Sequence, residues 1–203
     1  MVVRFAMPLK PPAATERLTQ NGNLGIIPPI SESGAGIVPD QGCQEVATVN
    51  NLLPVGAQAP QFQALTAGDA SLTLNDFKGR WLVLYFYPKA HTSGCTREGQ
   101  AFNALLNEFE ALNATVVGVS TDKPGTLAKF RDKHDFHFTL LSDSEKSVAT
   151  DFGTLKDHGK SANRVTYLID PEGTIAAVWP RVKVDGHAEK VLVQLKELTG
   201  APD

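Results

Sequence analysis

The stretch RWLVLYFYPKAHTSGCT, residues 80–96, decides the fold. Its first half, Trp81 to Tyr87, is an unbroken run of apolar and aromatic side chains, too short for a helix of ordinary length and lacking the polar alternation of a half-exposed strand. Such a run predicts a strand buried on both faces, the centre of a sheet with layers above and below. Pro88 ends it because proline has no N–H to give to the ladder. The polar KAHTSG that follows reads as a loop. Cys95 then falls at the start of the next helix, at the carboxyl end of a buried strand, the edge at which open α/β sheets bind ligands.

Outward from this centre, strand and helix alternate. Two short strand-like pieces, QFQALTA and SLTLNDF, precede it. An amphipathic segment from about Cys95 to Leu112 follows, then the strand TVVGVSTD, a helix from Pro124 to about Lys133 with proline at its start, and the strand FTLLSD. EKSVATDFG reads as a helix closed by Gly153, RVTYLID and TIAAVWP as a hairpin around the turn PEG, and HAEKVLVQLKEL as a closing helix. The pattern predicts an α/β fold of the thioredoxin type, a mixed central sheet with helices on both faces. Residues 1–52 are different. They are rich in Pro, Gly, Ser, Asn and Gln and hold no period, which predicts a flexible N-terminal extension ahead of a domain spanning 53–203.

Composition narrows the function classes. The net charge is −3, with no clustered basic patch, which gives no footprint for nucleic acid or anionic membrane. The two cysteines, Cys43 and Cys95, stand far apart, without C-x-x-C or paired Cys/His spacing. That excludes a zinc ribbon, a disulfide scaffold or a dithiol oxidoreductase and favours a reducing, cytoplasmic setting. Arg4 and the early prolines interrupt the apolar run expected of a signal peptide.

Cys95 is read either as a buried structural cysteine or as a nucleophile. A helix start offers unpaired N–H groups and partial positive charge, which favour a thiolate. Thr92, three residues earlier, either caps that helix with its hydroxyl or turns it toward whatever the sulfur attacks. His91 has no orienting carboxylate or oxyanion signature to make a Cys/His hydrolase, and His134 with His137 lacks a third ligand spaced for metal; all three are read as surface residues.

Pro88, Thr92 and Cys95 stand in the order P-x-x-x-T-x-x-C, and the chain resembles the peroxiredoxins there, specifically the bacterioferritin comigratory protein or peroxiredoxin Q subgroup. The likeness continues through GVSTDKP, FTLLSD, RVTYLID, PEGTI and VKVDGHAEKVL, from about Leu53 to Gly200. It implies that Cys95 is the peroxidatic cysteine, that Thr92 orients the peroxide, that Pro88 shields the pocket, that Arg164 stands beside the sulfur, and that Glu98 holds the arginine. It implies a thiol-specific peroxidase acting on hydrogen peroxide and organic hydroperoxides, a monomer or weak dimer, without metal, haem or flavin. Thioredoxin, glutaredoxin or glutathione would be its reductant. The alternative on the same fold is a peroxide sensor without rapid turnover. The resolving cysteine that many relatives carry five positions beyond the peroxidatic one is replaced by Gln100, which leaves an outside thiol or Cys43 to reduce the sulfenic acid. Gly99 stands where alanine is common, a substitution expected to loosen the first turns of the helix.

Overall fold

A computed structural model describes residues 51–201. Cys43 and residues 1–50 of the N-terminal extension lie outside the described residues.

Seven strands form one sheet: β1 (Gln63–Thr66), β2 (Ser71–Thr73), β3 (Trp81–Phe86), β4 (Ala114–Ser120), β5 (Thr139–Ser142), β6 (Val165–Ile169) and β7 (Ile175–Trp179). Their order is β2-β1-β5-β4-β3-β6-β7. β3, β4 and β5 run parallel, while β6 and β7 on one side and β1 and β2 on the other are antiparallel additions. The apolar run is an interior strand as expected, although β4 and not β3 is the middle one. Residues Leu74–Phe77 of SLTLNDF wind into a 3-10 turn rather than extending β2.

The side chains of β3 alternate between two cores, which explains why its sequence shows no alternation of polarity. Val83, Tyr85 and Tyr87 join one core with residues of α1 (Ser93–Ala104), α2 (Leu106–Ala111), α3 (Pro124–His134) and α5 (His187–Thr199). Leu82, Leu84 and Phe86 join the other, with α4 (Ser147–Asp151) and the segment around Phe62, Leu74 and Phe77. The layers are therefore unequal, four helices against one helix and a turn. Burial of a side chain of this size contributes roughly 1.5–3 kcal/mol, so a doubly buried strand anchors both layers at once.

The amphipathic segment expected from about Cys95 to Leu112 begins two residues earlier, at Ser93, and is two helices broken at Leu105. There the N–H of Leu105 turns back to the carbonyl of Phe102 at 3.1 Å, a tighter bond than the α-helical one. Neither glycine nor proline marks the break. Gly99 also proves different from expectation. A Cβ at this position would stand 2.6 Å from Cζ of Phe136, so the missing methyl makes room for that ring to lie against α1. Phe136 is held on its other sides by Phe130 and Phe138, with ring centroids 5.1 and 5.3 Å away.

Gly99→Ala is expected to destabilise the protein: overpacking costs about 1–3 kcal/mol, against a helix-propensity gain of about 1 kcal/mol. In a Phe136→Leu background the same change should become stabilising. Denaturant midpoints of the four proteins check this, and an equal shift in both backgrounds would contradict it.

Candidate active site

The site is assembled where β3 ends. The Tyr87 N–H still pairs with the carbonyl of Val119 at 3.1 Å, carrying the ladder one residue past Phe86, and Pro88 then closes it. The loop to α1 is tied down by Asp122, whose Oδ2 accepts the Ala90 N–H at 2.8 Å and the Ser120 hydroxyl at 2.9 Å. His91, within this loop, holds a left-handed backbone at φ 62°. Its exposed ring rests edge-on against Phe130, 5.1 Å between centroids.

Thr92 occupies the position just before α1, with extended backbone angles, but its side chain does not cap the helix. The hydroxyl donates instead to the carbonyl of Lys89 at 3.0 Å. With its proton engaged there, Thr92 Oγ1 presents lone pairs and acts as a hydrogen-bond acceptor. Cys95 is the third residue of α1, in the first turn, where backbone N–H groups have no partner within the helix. Its side chain is 2% exposed and lies in the core cluster with Tyr85, Tyr87 and Ala90.

Arg164 stands immediately before β6, the strand paired with β3. Its Nη2 donates to Cys95 Sγ at 3.2 Å. Its Nη1 is hydrogen-bonded and ion-paired to Oε2 of Glu98, one turn along α1 from the cysteine. The guanidinium side chain is 18% exposed and that of Glu98 1%, so both charges sit largely away from water. Gly94 is part of this fit: a Cβ there would stand 3.3 Å from Arg164 Nη2, a tight contact on the guanidinium. Burial opposes the charge of Arg164, and the neighbouring Glu98 and Cys95 more than offset it, leaving its pKa above the ordinary arginine value. Burial pushes the Glu98 carboxyl up to about 7, against the pull of Arg164 toward the ionised form. Its Oε1 is buried and has no hydrogen-bond partner.

Of the residues singled out in the sequence, Arg164 joins Cys95 and Glu98, while Thr92 and Pro88 lie in the loop that leads into α1. His134 is half-buried, with its ring stacked on Phe136, and His137 pairs with Asp135 at 3.3 Å. Three participants escaped the sequence reading: Asp122, Gly94 and His187. His187 opens α5, 3% exposed, with Nε2 2.8 Å from Thr166 Oγ1. It packs edge-on against both Phe102 and Trp179. Thr166 is two residues from Arg164 along β6, so this histidine braces the strand that delivers the arginine. Only a glycine next to a cysteine and a histidine at a helix start could have signalled Gly94 and His187, and neither pattern is specific.

A family model described as the AhpC/TSA family matches residues 55–178. The chain belongs to this family. Its relatives include the peroxiredoxin Bcp of Xanthomonas campestris, 43% identical over 136 residues, covering 64% of this chain and 85% of that protein. Another is a putative peroxiredoxin bcp of Coxiella burnetii, 40% identical over 149 residues, with 70% and 99% covered. Among solved structures, a Xylella fastidiosa PrxQ mutant superposes with a TM-score of 0.69 at 39% identity, covering 72% of this chain and 97% of that one. A bacterioferritin comigratory protein of Xanthomonas campestris, described for its alkyl peroxide reduction activity, gives a TM-score of 0.66 at 38% identity, with 74% and 99% covered. The family membership thus falls in the Bcp or peroxiredoxin Q branch.

Two buried groups of the site set opposite pH dependences of stability. The usual carboxyl value of Glu98, 4.5, is raised to about 7, so between these values the folded protein keeps a proton the unfolded chain has lost, and stability falls as pH rises. For His187, burial first, then Lys190 and Arg164, lowers the pKa from 6.5 to about 4, so between those values the unfolded chain holds the extra proton and stability rises with pH. The two trends oppose each other over their shared range. Glu98→Gln should therefore expose a Tm that climbs from pH 4 to 6.5, and His187→Gln a Tm that declines from pH 4.5 to 7. Scanning calorimetry across this range checks both, and unchanged slopes in the two variants would contradict the assignment.

Proposed function

We propose that the chain is a thiol-specific peroxidase reducing hydrogen peroxide and organic hydroperoxides at Cys95. The observation that supports this most directly is the contact of Arg164 Nη2 with the buried Cys95 Sγ at 3.2 Å. The thiolate attacks the terminal oxygen of the peroxide in line with the O–O bond; an S–O bond forms, the O–O bond breaks, and hydroxide or alkoxide leaves and takes up a proton. Sulfenic acid remains on Cys95. Negative charge passes from sulfur to the departing oxygen during this step. Arg164, whose planar fork reaches the sulfur while Glu98 fixes its other nitrogen, and the free N–H groups of the first turn of α1 are preorganised to hold that charge. Thr92 accepts a hydrogen bond from the peroxide O–H and aims it, and Pro88 keeps water from the pocket.

The sulfenic acid is then reduced by an external thiol of the thioredoxin, glutaredoxin or glutathione kind, since Cys95 is the only cysteine among the described residues. Cys43 is the other candidate for this step. We assign the reaction to residues 53–203, with 1–52 as an extension, and place the protein in the cytoplasm as a monomer or weak dimer. No helix among the described residues is long and apolar enough to cross a membrane.

Peroxide consumption with each reductant tests the reading: sustained turnover is expected, whereas a single stoichiometric oxidation followed by arrest would favour a sensor. Cys95→Ser should abolish oxidation, and Arg164→Lys should lower the rate constant of Cys95 with peroxide about a hundredfold. Stopped-flow oxidation and intact mass check both; an Arg164→Lys rate equal to wild type would remove the arginine from the reaction.

A further inference from the structure

A cleft of about 520 Å³ opens beside the reactive loop, a size suited to a small molecule. One wall is Pro88 and Lys89, the second Thr121 and Asp122 after β4, and the third Lys160 and its neighbours His158 and Ser161. The same two segments that bring in Thr92 and Arg164 therefore bound it. Its third wall is held in place, because Thr121 Oγ1 donates to the Lys160 carbonyl at 3.1 Å and the Lys160 N–H donates to His158 Nδ1 at 3.0 Å.

Cationic side chains outnumber acidic ones in the cleft, Lys89 and Lys160 against Asp122. Among the described residues, neither Lys89 nor Lys160 has an ion-pair partner. Asp122, the one acid in the lining, has Oδ2 turned to the Ala90 N–H and the Ser120 hydroxyl. Because His158 Nδ1 accepts the Lys160 N–H, the proton of the neutral ring lies on Nε2, a further donor. Two ammonium groups and an imidazole N–H suit an anion there, and the lining residues Pro88 and Lys89 begin the loop that leads to Cys95. A cleft of this volume holds a small thiol and not a folded protein.

We propose that this cleft binds the reductant, a low-molecular-weight thiol bearing carboxylates, with Lys89 and Lys160 as the groups that hold them. This rests on the peroxidase reading. The thiolate of the bound molecule attacks the sulfenic sulfur of Cys95, forming a mixed disulfide and releasing hydroxide, which takes up a proton. A second molecule of the same thiol attacks the mixed disulfide at the small-molecule sulfur, yielding the symmetrical disulfide and restoring the Cys95 thiolate.

Glutathione and its diethyl ester, which keeps the thiol and loses both carboxylates, serve as probes. Oxidation of Cys95 by peroxide is followed first without thiol, so a failure there falls on the peroxidase reading alone. Binding of S-methylglutathione to the reduced protein needs no oxidation and tests the cleft in either case. Expected are measurable binding of S-methylglutathione, and reduction by glutathione about tenfold faster per thiolate than by the ester at low salt. Both the binding and the rate advantage should disappear in Lys89→Glu/Lys160→Glu, with each rate normalised to that protein's own oxidation step. Equal rates with the two probes, a preference that survives the charge reversals, or loss of glutathione turnover in Cys43→Ser would overturn the proposal.

Discussion

One guanidinium holds the site together. Arg164 leaves the sheet at β6, pairs with Glu98 through one nitrogen and touches the Cys95 sulfur through another. Removing any of the three groups leaves a buried partner without its counter-charge or donor, which is why such clusters are costly to break even where they add little net stability. The rest of the domain is arranged to keep this contact. β3 and β6 pair side by side, so the strand that ends below Cys95 and the strand that begins at Arg164 have a fixed register, Phe86 opposite Val165.

The surroundings restrict the contact from several directions. Asp122 ties the loop ahead of α1, Gly94 leaves room for the guanidinium, and Gly99 lets Phe136 lie against the helix that carries both Cys95 and Glu98. His187, in a neutral form favoured by its burial, fills the space between Thr166, Phe102 and Trp179 on the same side of the sheet. A small shift in any of these would be felt at the arginine, because packed interiors transmit displacement instead of absorbing it. Glu98 is the most exposed to such a change in energetic terms, since burial already opposes its ionised form and only one of its oxygens is paired.

Membership of the AhpC/TSA family and the geometry agree on the chemistry, and they meet at a point where this chain departs from its own resemblance. Gln100 stands where a resolving thiol is common, so the described domain carries a sulfur able to be oxidised and no second sulfur to restore it. Reduction becomes a question of recognition, and the cleft beside Pro88 is the surface we propose for it.

The alternation of strands and helices, the thioredoxin-type sheet and the placement of Cys95 at a helix start were legible in the chain, because apolar runs, proline stops and helix starts are local properties. The cluster of Cys95, Glu98 and Arg164 was legible only through the resemblance, since nothing local links Arg164 to Cys95 across sixty-nine positions. Other features were decided by tertiary structure. Thr92 carries a residue type suited to capping, yet its hydroxyl turns to Lys89 because the loop brings that carbonyl within reach. Gly99 looked like a weakness in a helix and serves as a socket for a ring thirty-seven residues away. The sequence by itself determined which segments are strands and helices and that Cys95 stands at a helix start, because spacing and composition act over a few residues. Only the folded chain determined which charges meet and which side chains need space, because those depend on segments brought together by the sheet.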